Sequence, residues 1–197
     1  MKKRKWTMLM WLGGDEMEFF WNFFFYSFLG FGLEVVYAYL TGGRRDRKRT
    51  LLLPLCPVYG VGAAAILFFA PVAGGNKTGI FLLGGVTATA VEYILAVWYE
   101  KGLGVSFWDY SGVTGNLHGR VCLPFSAVWG FLSVGLVCWV HPAMESILRI
   151  SAPVTVAWII LVIGDLAISG VMLRFSGDRI CLRWYERWHV RSEWHRE

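Results

Sequence analysis

Five long apolar runs dominate the pattern of hydrophobic and polar positions along this chain. Each is close to the roughly 20 residues that a helix needs to cross a hydrocarbon core of about 30 Å. Backbone groups in lipid must be hydrogen-bonded within the protein, and the alternating segments typical of a strand barrel are missing, so helices are favoured. We predict an all-α, polytopic membrane helix bundle with about five transmembrane helices, at about residues 18–40, 51–72, 79–99, 121–140 and 153–173.

Composition agrees with a membrane protein. The chain has 197 residues, of which 56% are hydrophobic and 17% charged, which is too apolar for a soluble globule of this size. The four cysteines show no CxxC spacing, so we expect buried apolar side chains rather than a metal site, and we predict no cofactor. No motif indicates nucleic-acid binding, and the net charge of +5 is better explained by membrane topology and anionic lipid.

The distribution of basic residues predicts the orientation. Five spans place the two ends of the chain on opposite sides of the membrane. With the N-terminus outside, the inner side holds 13 Lys and Arg residues and the outer side 6. The positive-inside rule therefore favours a multi-pass protein of the cell membrane with an outer N-terminus and a cytoplasmic C-terminus, although the basic residues 1–5 argue against it.

A short internal similarity suggests a duplication. Residues 53–60 (LPLCPVYG) and 123–130 (LPFSAVWG) share Leu-Pro, Val, an aromatic residue and Gly without gaps, and each follows a span that carries a glutamate. We predict two parallel-repeat helical hairpins, 17–73 and 79–141, followed by a fifth span, 153–173. Repeats of this kind commonly place a binding site at their interface. Chance similarity of so few residues is the alternative.

Charged residues inside the spans mark a candidate site. Glu34 and Glu92 lie within apolar runs, where a charge is costly and is expected to face the protein interior or a wet cavity. Asp165 lies past the middle of the fifth span, and Arg120 begins the fourth. At about 1.5 Å per residue these positions share one slab of the cytoplasmic leaflet, so we expect the four charges to approach one central volume. The alternative is a structural ion pair in which Glu34 or Asp109 neutralises Arg120.

The connection between the third and fourth spans, residues 101–119, supplies further polar groups. It is rich in glycine and aromatic residues and shows no helical period. We expect Trp108 and Tyr110 to anchor it at the membrane interface. No catalytic residue is assigned, and the candidate substrate-binding residues of the whole chain are Glu34, Cys56, Tyr59, Glu92, Asp109, Asn116, His118, Arg120 and Asp165.

The last segment, residues 174–197, is basic and tryptophan-rich. Ile180, Trp184 and Trp188 recur every four residues beside a stripe of arginines. We predict an amphipathic C-terminal helix that lies on anionic lipid of the inner leaflet. A plain solvated helix and a docking site for a cytosolic partner are the alternatives.

Several short motifs resemble a family known as putative ABC transporter permeases, or putative ABC-transporter type IV. The similarity covers about residues 24–142 and is specific in combination, although Phe31 stands where tryptophan is expected and His118 where asparagine is expected. Asp165 is similar to an acidic position in the family's last span. The matching segments are Tyr26-Ser27-Phe28-Leu29-Gly30 with Leu33-Glu34-Val35, Pro54-Leu55-Cys56-Pro57-Val58-Tyr59-Gly60, Ala90-Val91-Glu92-Tyr93, Trp108-Asp109-Tyr110-Ser111 and Asn116-Leu117-His118-Gly119-Arg120.

The resemblance implies an integral membrane protein of the bacterial inner membrane. Because this sequence shows no nucleotide-binding cassette, an ATPase would be a separate partner subunit, and a homo-oligomer is a further option. Three functions are left open. The chain could be a permease subunit, an intramembrane enzyme acting on lipid-linked material through its carboxylates with Asp109, His118 and Arg120, or a non-catalytic scaffold or regulator.

Overall fold

The computed structural model describes residues 16–42, 50–147 and 151–182, and most of these residues are helical. The helices are α1 (Glu16–Thr41), α2 (Pro57–Phe69), α3 (Lys77–Trp98), α4 (Leu123–Gly135), α5 (His141–Ile147) and α6 (Ala152–Ser176). Short 3-10 or π-helical turns extend α2 and α3 and join α4 to α5. A two-stranded antiparallel pair, β1 (Asn116–Leu117) and β2 (Val121–Cys122), precedes α4. The prediction of an all-α membrane bundle is confirmed.

Four helical stretches of the described chain are long and apolar enough to cross a membrane. Large apolar side chains such as Val86, Ile94 and Phe131 are exposed on their outer faces, as expected of helices that lipid solvates. The remaining apolar run forms the shorter helix Pro57–Ala73. The four long stretches are Met17–Thr41, Lys77–Leu103, Leu123–Met144 and Ala152–Ser176.

The second run does not become helical where the sequence predicts. Helix α2 begins at Pro57 rather than at Leu51, and Cys56 has extended backbone angles, as is usual for a residue that precedes proline. The backbone N–H groups of Leu52 and Leu53 donate to the Asp165 carboxylate at 2.9 and 2.8 Å. The prediction of helix over the first six residues of this run is therefore wrong, because proline breaks the helix and an acidic side chain of α6 satisfies the amides instead.

The helices pack in chain order, α1 on α2, α2 on α3 and α3 on α4. Close contact within each hairpin depends on glycine. A Cβ atom on Gly60 would lie 2.7 Å from the carbonyl oxygen of Phe23, and one on Gly130 would lie 2.9 Å from that of Phe81. Small residues of this kind let membrane helices approach each other closely.

The connection after α3 folds back over the protein. Trp108 and Tyr110 are buried and pack with Phe107 and Leu173 in one apolar cluster. The prediction that Trp108 and Tyr110 anchor the connection at the membrane interface is therefore wrong, because both rings fill space over the ends of α3 and α6.

The start of the C-terminal segment docks on the same cluster. Leu182 is fully buried there, and Arg179 donates to the backbone oxygen of Phe107 at 2.9 Å. The rest of the predicted amphipathic helix, residues 183–197, lies outside the described residues, as do the basic segments 1–15 and 43–49.

Candidate functional site

A cavity of about 150 Å³ lies between α1 and α4, with α2 and α3 closing its inner side. It contains both glutamates that the apolar spans carry, Glu34 and Glu92. No basic residue occurs among the described residues that line it. The complete described lining is Leu33, Glu34, Tyr37, Tyr59, Glu92, Phe125, Val128, Trp129 and Leu132.

Glu34 is held by the second helix of its own hairpin. It is 6% exposed, and the hydroxyl of Tyr59 donates to its Oε1 at 2.8 Å. One turn before Glu34, a Cβ atom on Gly30 would overlap the Tyr59 ring. Glycine at that position therefore lets the ring lie against α1 and bring its hydroxyl to the carboxylate.

Glu92 is more deeply buried and has two described donors. It is 1% exposed. The indole nitrogen of Trp129 donates to Oε2 at 2.8 Å, and the hydroxyl of Tyr110 donates to Oε1 at 3.1 Å. Hydrogen bonds of this kind offset much of the cost of taking a polar group out of water.

Aromatic rings connect the two hairpins at the cavity. The ring centroids of Tyr59 and Trp129, the donors to the two glutamates, lie 4.9 Å apart. Those of Tyr37 and Phe125 lie 6.0 Å apart in an edge-on contact between α1 and α4. The cavity thus combines two buried carboxylates with walls that are largely aromatic.

Sequence reasoning missed Tyr110 and Trp129 as site residues. Trp129 carried a usable signal, since it occupies the position that matches Tyr59 in the internal similarity. No sequence signal indicates that Tyr110 is buried near Glu92, because an aromatic residue in a glycine-rich connection equally suits a membrane interface.

Arg120 does not join the cavity. Its guanidinium donates to Glu100 Oε2 through Nη2 at 2.6 Å and Nε at 2.9 Å, and it lies over the Tyr93 ring, 5.5 Å from the centroid. The hydrogen bond to the Glu100 carboxylate raises the pKa of Arg120 above its ordinary value. The alternative of an ion pair between Arg120 and Glu34 or Asp109 is therefore wrong, because the partner is Glu100, which lies in the π-helical turn just after α3.

Two polar residues of the 101–119 connection, Asp109 and Asn116, stabilise the turn that contains them, and His118 contacts α3. Asp109 is exposed, and its Oδ1 accepts from the backbone N–H of Ser111 at 2.8 Å, which lowers the pKa of its carboxyl. The Asn116 side chain donates to the Val113 carbonyl at 2.8 Å. His118 has a φ of 54°, and its Nδ1 lies 3.0 Å from the Tyr93 hydroxyl.

Asp165 of α6 and Cys56 lie beside each end of the short segment that leads into α2, residues 52–56. Besides the amides of Leu52 and Leu53, Asp165 accepts from the hydroxyl of Ser169 at 2.8 Å. Cys56 is buried, and its backbone N–H donates to the Ser27 carbonyl at 2.9 Å. The sequence predicts that Glu34, Glu92, Arg120 and Asp165 approach one central volume. That prediction is wrong for Asp165, whose carboxylate binds the backbone amides of Leu52 and Leu53, and for Arg120, which pairs with Glu100.

Among the described residues, no group of three or more His, Cys, Asp or Glu side chains is arranged to hold a metal ion. The cavity offers two carboxylates, two aromatic side chains that donate to them, and apolar walls.

Comparison with known proteins gives one finding. Neither the curated proteins nor the solved structures contain a significant match to the chain. One family model, described as Putative ABC-transporter type IV, matches residues 21–173. That range includes most of α1, all of α2 to α5, most of α6 and every described residue that lines the cavity. The chain therefore belongs to the Putative ABC-transporter type IV family.

Proposed function

We propose that the chain is the membrane-spanning subunit of an ABC-type transport assembly, and that the cavity between α1 and α4 is its solute site. One observation carries the proposal. Glu34 and Glu92 come from different hairpins, yet both line the same cavity. Acidic side chains are rare at membrane depth and commonly mark the path of a solute or ion. The ATPase of such an assembly would be a separate cytosolic subunit.

Matching contacts in the two hairpins support a duplication. When residues 53–60 are aligned with 123–130 and Glu34 with Glu92, Tyr59 corresponds to Trp129, and each donates to the glutamate of its own hairpin. In the same alignment, the Gly60 contact with Phe23 corresponds to the Gly130 contact with Phe81. A cavity between two copies of one hairpin is where transporters built from repeats place their substrates.

The proposal includes the orientation that the basic residues predict, with the N-terminus outside. Asn76, exposed between α2 and α3, would then face outward, and Ser111, exposed in the connection after α3, would face the cytosol. Cysteines at these two positions, in a chain whose own cysteines are replaced, test it with a membrane-impermeant maleimide. Labelling of Asn76→Cys alone in intact cells is expected, and labelling of Ser111→Cys alone would reverse the orientation.

The enzyme alternative gains no support from the geometry. It requires Asp109, His118 and Arg120 to act together with the carboxylates of the spans. Asp109 instead stabilises a turn, His118 contacts the Tyr93 hydroxyl of α3, and Arg120 is paired with Glu100. None of the three is among the described residues of the cavity.

Purification of the tagged full chain from the cells that make it tests the transport proposal. We expect a protein with a nucleotide-binding P-loop to co-purify, and we expect the complex in nanodiscs to hydrolyse ATP. Glu92→Gln should leave the amount of complex unchanged but lower that hydrolysis, because the carboxylate is part of the solute site. Val86→Ala, on the exposed face of the same helix, is the matched control.

Two results would contradict the proposal. One is the absence of an ATPase from the purified material under conditions in which the chain itself stays folded. The other is ATP hydrolysis by Glu92→Gln equal to that of the Val86→Ala control.

A further inference from the structure

We propose that the cavity binds an organic cation whose alkylated ammonium group lies between Glu34 and Glu92. This inference rests on the proposed function, because it names the chemical class of the solute for the same site. The charge, the aromatic walls, the size and the opening of the cavity each support it.

Charge selects a cation over an anion. The described lining contains two acidic side chains and no basic one, and both glutamates are more than nine-tenths buried. Arg120, the arginine in the candidate set, is bound to Glu100 at 2.6 Å and is absent from the described lining. Charges interact more strongly in a low-dielectric interior than in water, so an ammonium ion would be attracted and an anion repelled.

The aromatic walls favour an organic ammonium group over a metal ion. Divalent metal ions prefer several oxygen ligands, whereas methylated ammonium groups are recognised by aromatic rings, whose faces attract a diffuse positive charge. Four rings line this cavity around the two carboxylates. They belong to Tyr37, Tyr59, Phe125 and Trp129.

The size of the cavity fits a small head group. A protein cavity of about 150 Å³ is large enough for a molecule such as benzene, which is comparable in bulk to a trimethylammonium group. Three residues of its lining, Leu33, Tyr37 and Val128, are also exposed on the outer surface of the bundle. An apolar substituent on the cation could therefore extend toward lipid between α1 and α4.

The same ammonium chemistry occurs in free solutes and in amphiphiles. Binding by the purified full chain in nanodiscs of phosphatidylglycerol, a lipid without an ammonium group, distinguishes the two sources. The water-soluble probe is choline, with 3,3-dimethyl-1-butanol as its uncharged isostere. The amphiphilic probe is decyltrimethylammonium, with decanol as its uncharged counterpart. Calorimetric titration at constant ionic strength measures each affinity.

We expect saturable binding of at least one cation and none of its uncharged counterpart. Binding of choline would identify a soluble cation as the ligand class, and binding of decyltrimethylammonium alone would identify an amphiphile. Glu34→Gln and Glu92→Gln should each weaken binding by about tenfold or more, since each removes a negative charge from a desolvated site.

Tyr37 provides a variant that tests the site with little risk to folding, because its side chain is partly exposed. Tyr37→Leu removes an aromatic wall and should weaken cation binding by about fivefold to tenfold, whereas Tyr37→Phe should bind as the native chain does. Tyr39→Leu is the matched control. It lies on the same helix, is 73% exposed and is absent from the described lining.

The inference is overturned if neither cation binds saturably, if the uncharged counterparts bind as tightly, or if Tyr37→Leu and Glu34→Gln both leave the affinity unchanged. These outcomes are separable from failure of the proposed function. An ATPase that co-purifies with a chain that binds no cation would leave the transport proposal standing and remove only the ligand class.

Discussion

The two hairpins place a glutamate at the same cavity but surround it differently. Glu34 in the first hairpin has one described donor to an oxygen, Tyr59, and is 6% exposed. Glu92 in the second has two, Trp129 and Tyr110, and is 1% exposed. The additional donor comes from the long connection after α3, which folds back into the protein. Two similar hairpins can thus place an acidic group at one cavity, while the connection after α3 gives Glu92 a further described donor.

The hairpins also differ in how their second helix begins. Helix α4 begins at Leu123, with Pro124 in its first turn and the strand pair directly before it. Helix α2 begins four residues later in the shared motif, at Pro57, which corresponds to Ala127. A second proline in the first hairpin therefore shortens its second helix, and the backbone amides left outside the helix are satisfied by Asp165.

The largest effect is expected from removing the glutamates themselves. Glu92→Leu leaves two buried donors unsatisfied and should lower the free energy of unfolding by about 2–6 kcal/mol, whereas Glu34→Leu leaves one and should cost about 1–3 kcal/mol. Thermal unfolding of both variants in the same detergent measures the difference. An equal loss of stability in the two variants would mean that the hydrogen bond from the connection does not hold Glu92 more strongly than Glu34 is held.

Replacing Asp165 tests the unusual start of α2. Asp165→Asn keeps the shape of the side chain, but its amide nitrogen cannot accept a hydrogen bond. Either the Leu53 N–H then loses its acceptor, or the Leu52 N–H keeps only the Ser169 hydroxyl, 3.2 Å away. The expected cost is about 1–3 kcal/mol, with faster hydrogen exchange at these two amides. Ile163→Ala, exposed on the same helix, is the control. Unchanged exchange would show that the amides do not depend on the carboxylate.

Tyr110→Phe converts the surroundings of Glu92 toward those of Glu34. It removes one hydroxyl donor and keeps the ring in its apolar cluster, so stability should fall by about 0.5–1.5 kcal/mol. Thermal unfolding measures this change beside Tyr39→Phe, whose ring is exposed. If stability is unchanged, the ring rather than its hydroxyl is what stabilises the connection.

The smallest effect concerns the exposed turn at Asp109. Because hydrogen bonding to the Ser111 amide lowers the pKa of this carboxyl, its stabilising contribution is fully present above the unfolded-state pKa of about 3.9 and is lost as the pH falls through the folded-state value. Asp109→Asn should therefore increase hydrogen exchange at Ser111 slightly at neutral pH, and the difference from the native chain should vanish in acid. A difference that persists in acid would contradict this origin.

The sequence predicts the bundle and three residues that line the cavity, Glu34, Tyr59 and Glu92, because these follow from strong, local signals. Long apolar runs define membrane helices, and a glutamate inside such a run is expected to face the interior, so Glu34 and Glu92 are found without a structure. The duplication of the hairpins stays a prediction.

The remaining features depend on contacts between distant parts of the chain. The pairing of Arg120 with Glu100, the capping of residues 52 and 53 by Asp165, and the burial of Tyr110 are all set by how the connection and α6 pack on the bundle. The pattern of charge and hydrophobicity along the chain does not say which partner each of these side chains takes, because the sequence offers each of them several partners of suitable chemistry.

Cross-linking across the cavity tests most directly the claim that the two hairpins enclose one site. Tyr37→Cys with Phe125→Cys, in a chain whose native cysteines are replaced, joins positions whose native rings lie 6.0 Å apart between α1 and α4. A short thiol cross-linker should join them within one chain, as detected by mass spectrometry of the linked peptides, while the exposed control pair Tyr39→Cys and Phe131→Cys should stay unlinked. Absence of the first link, or equal linking of both pairs, would contradict a shared cavity.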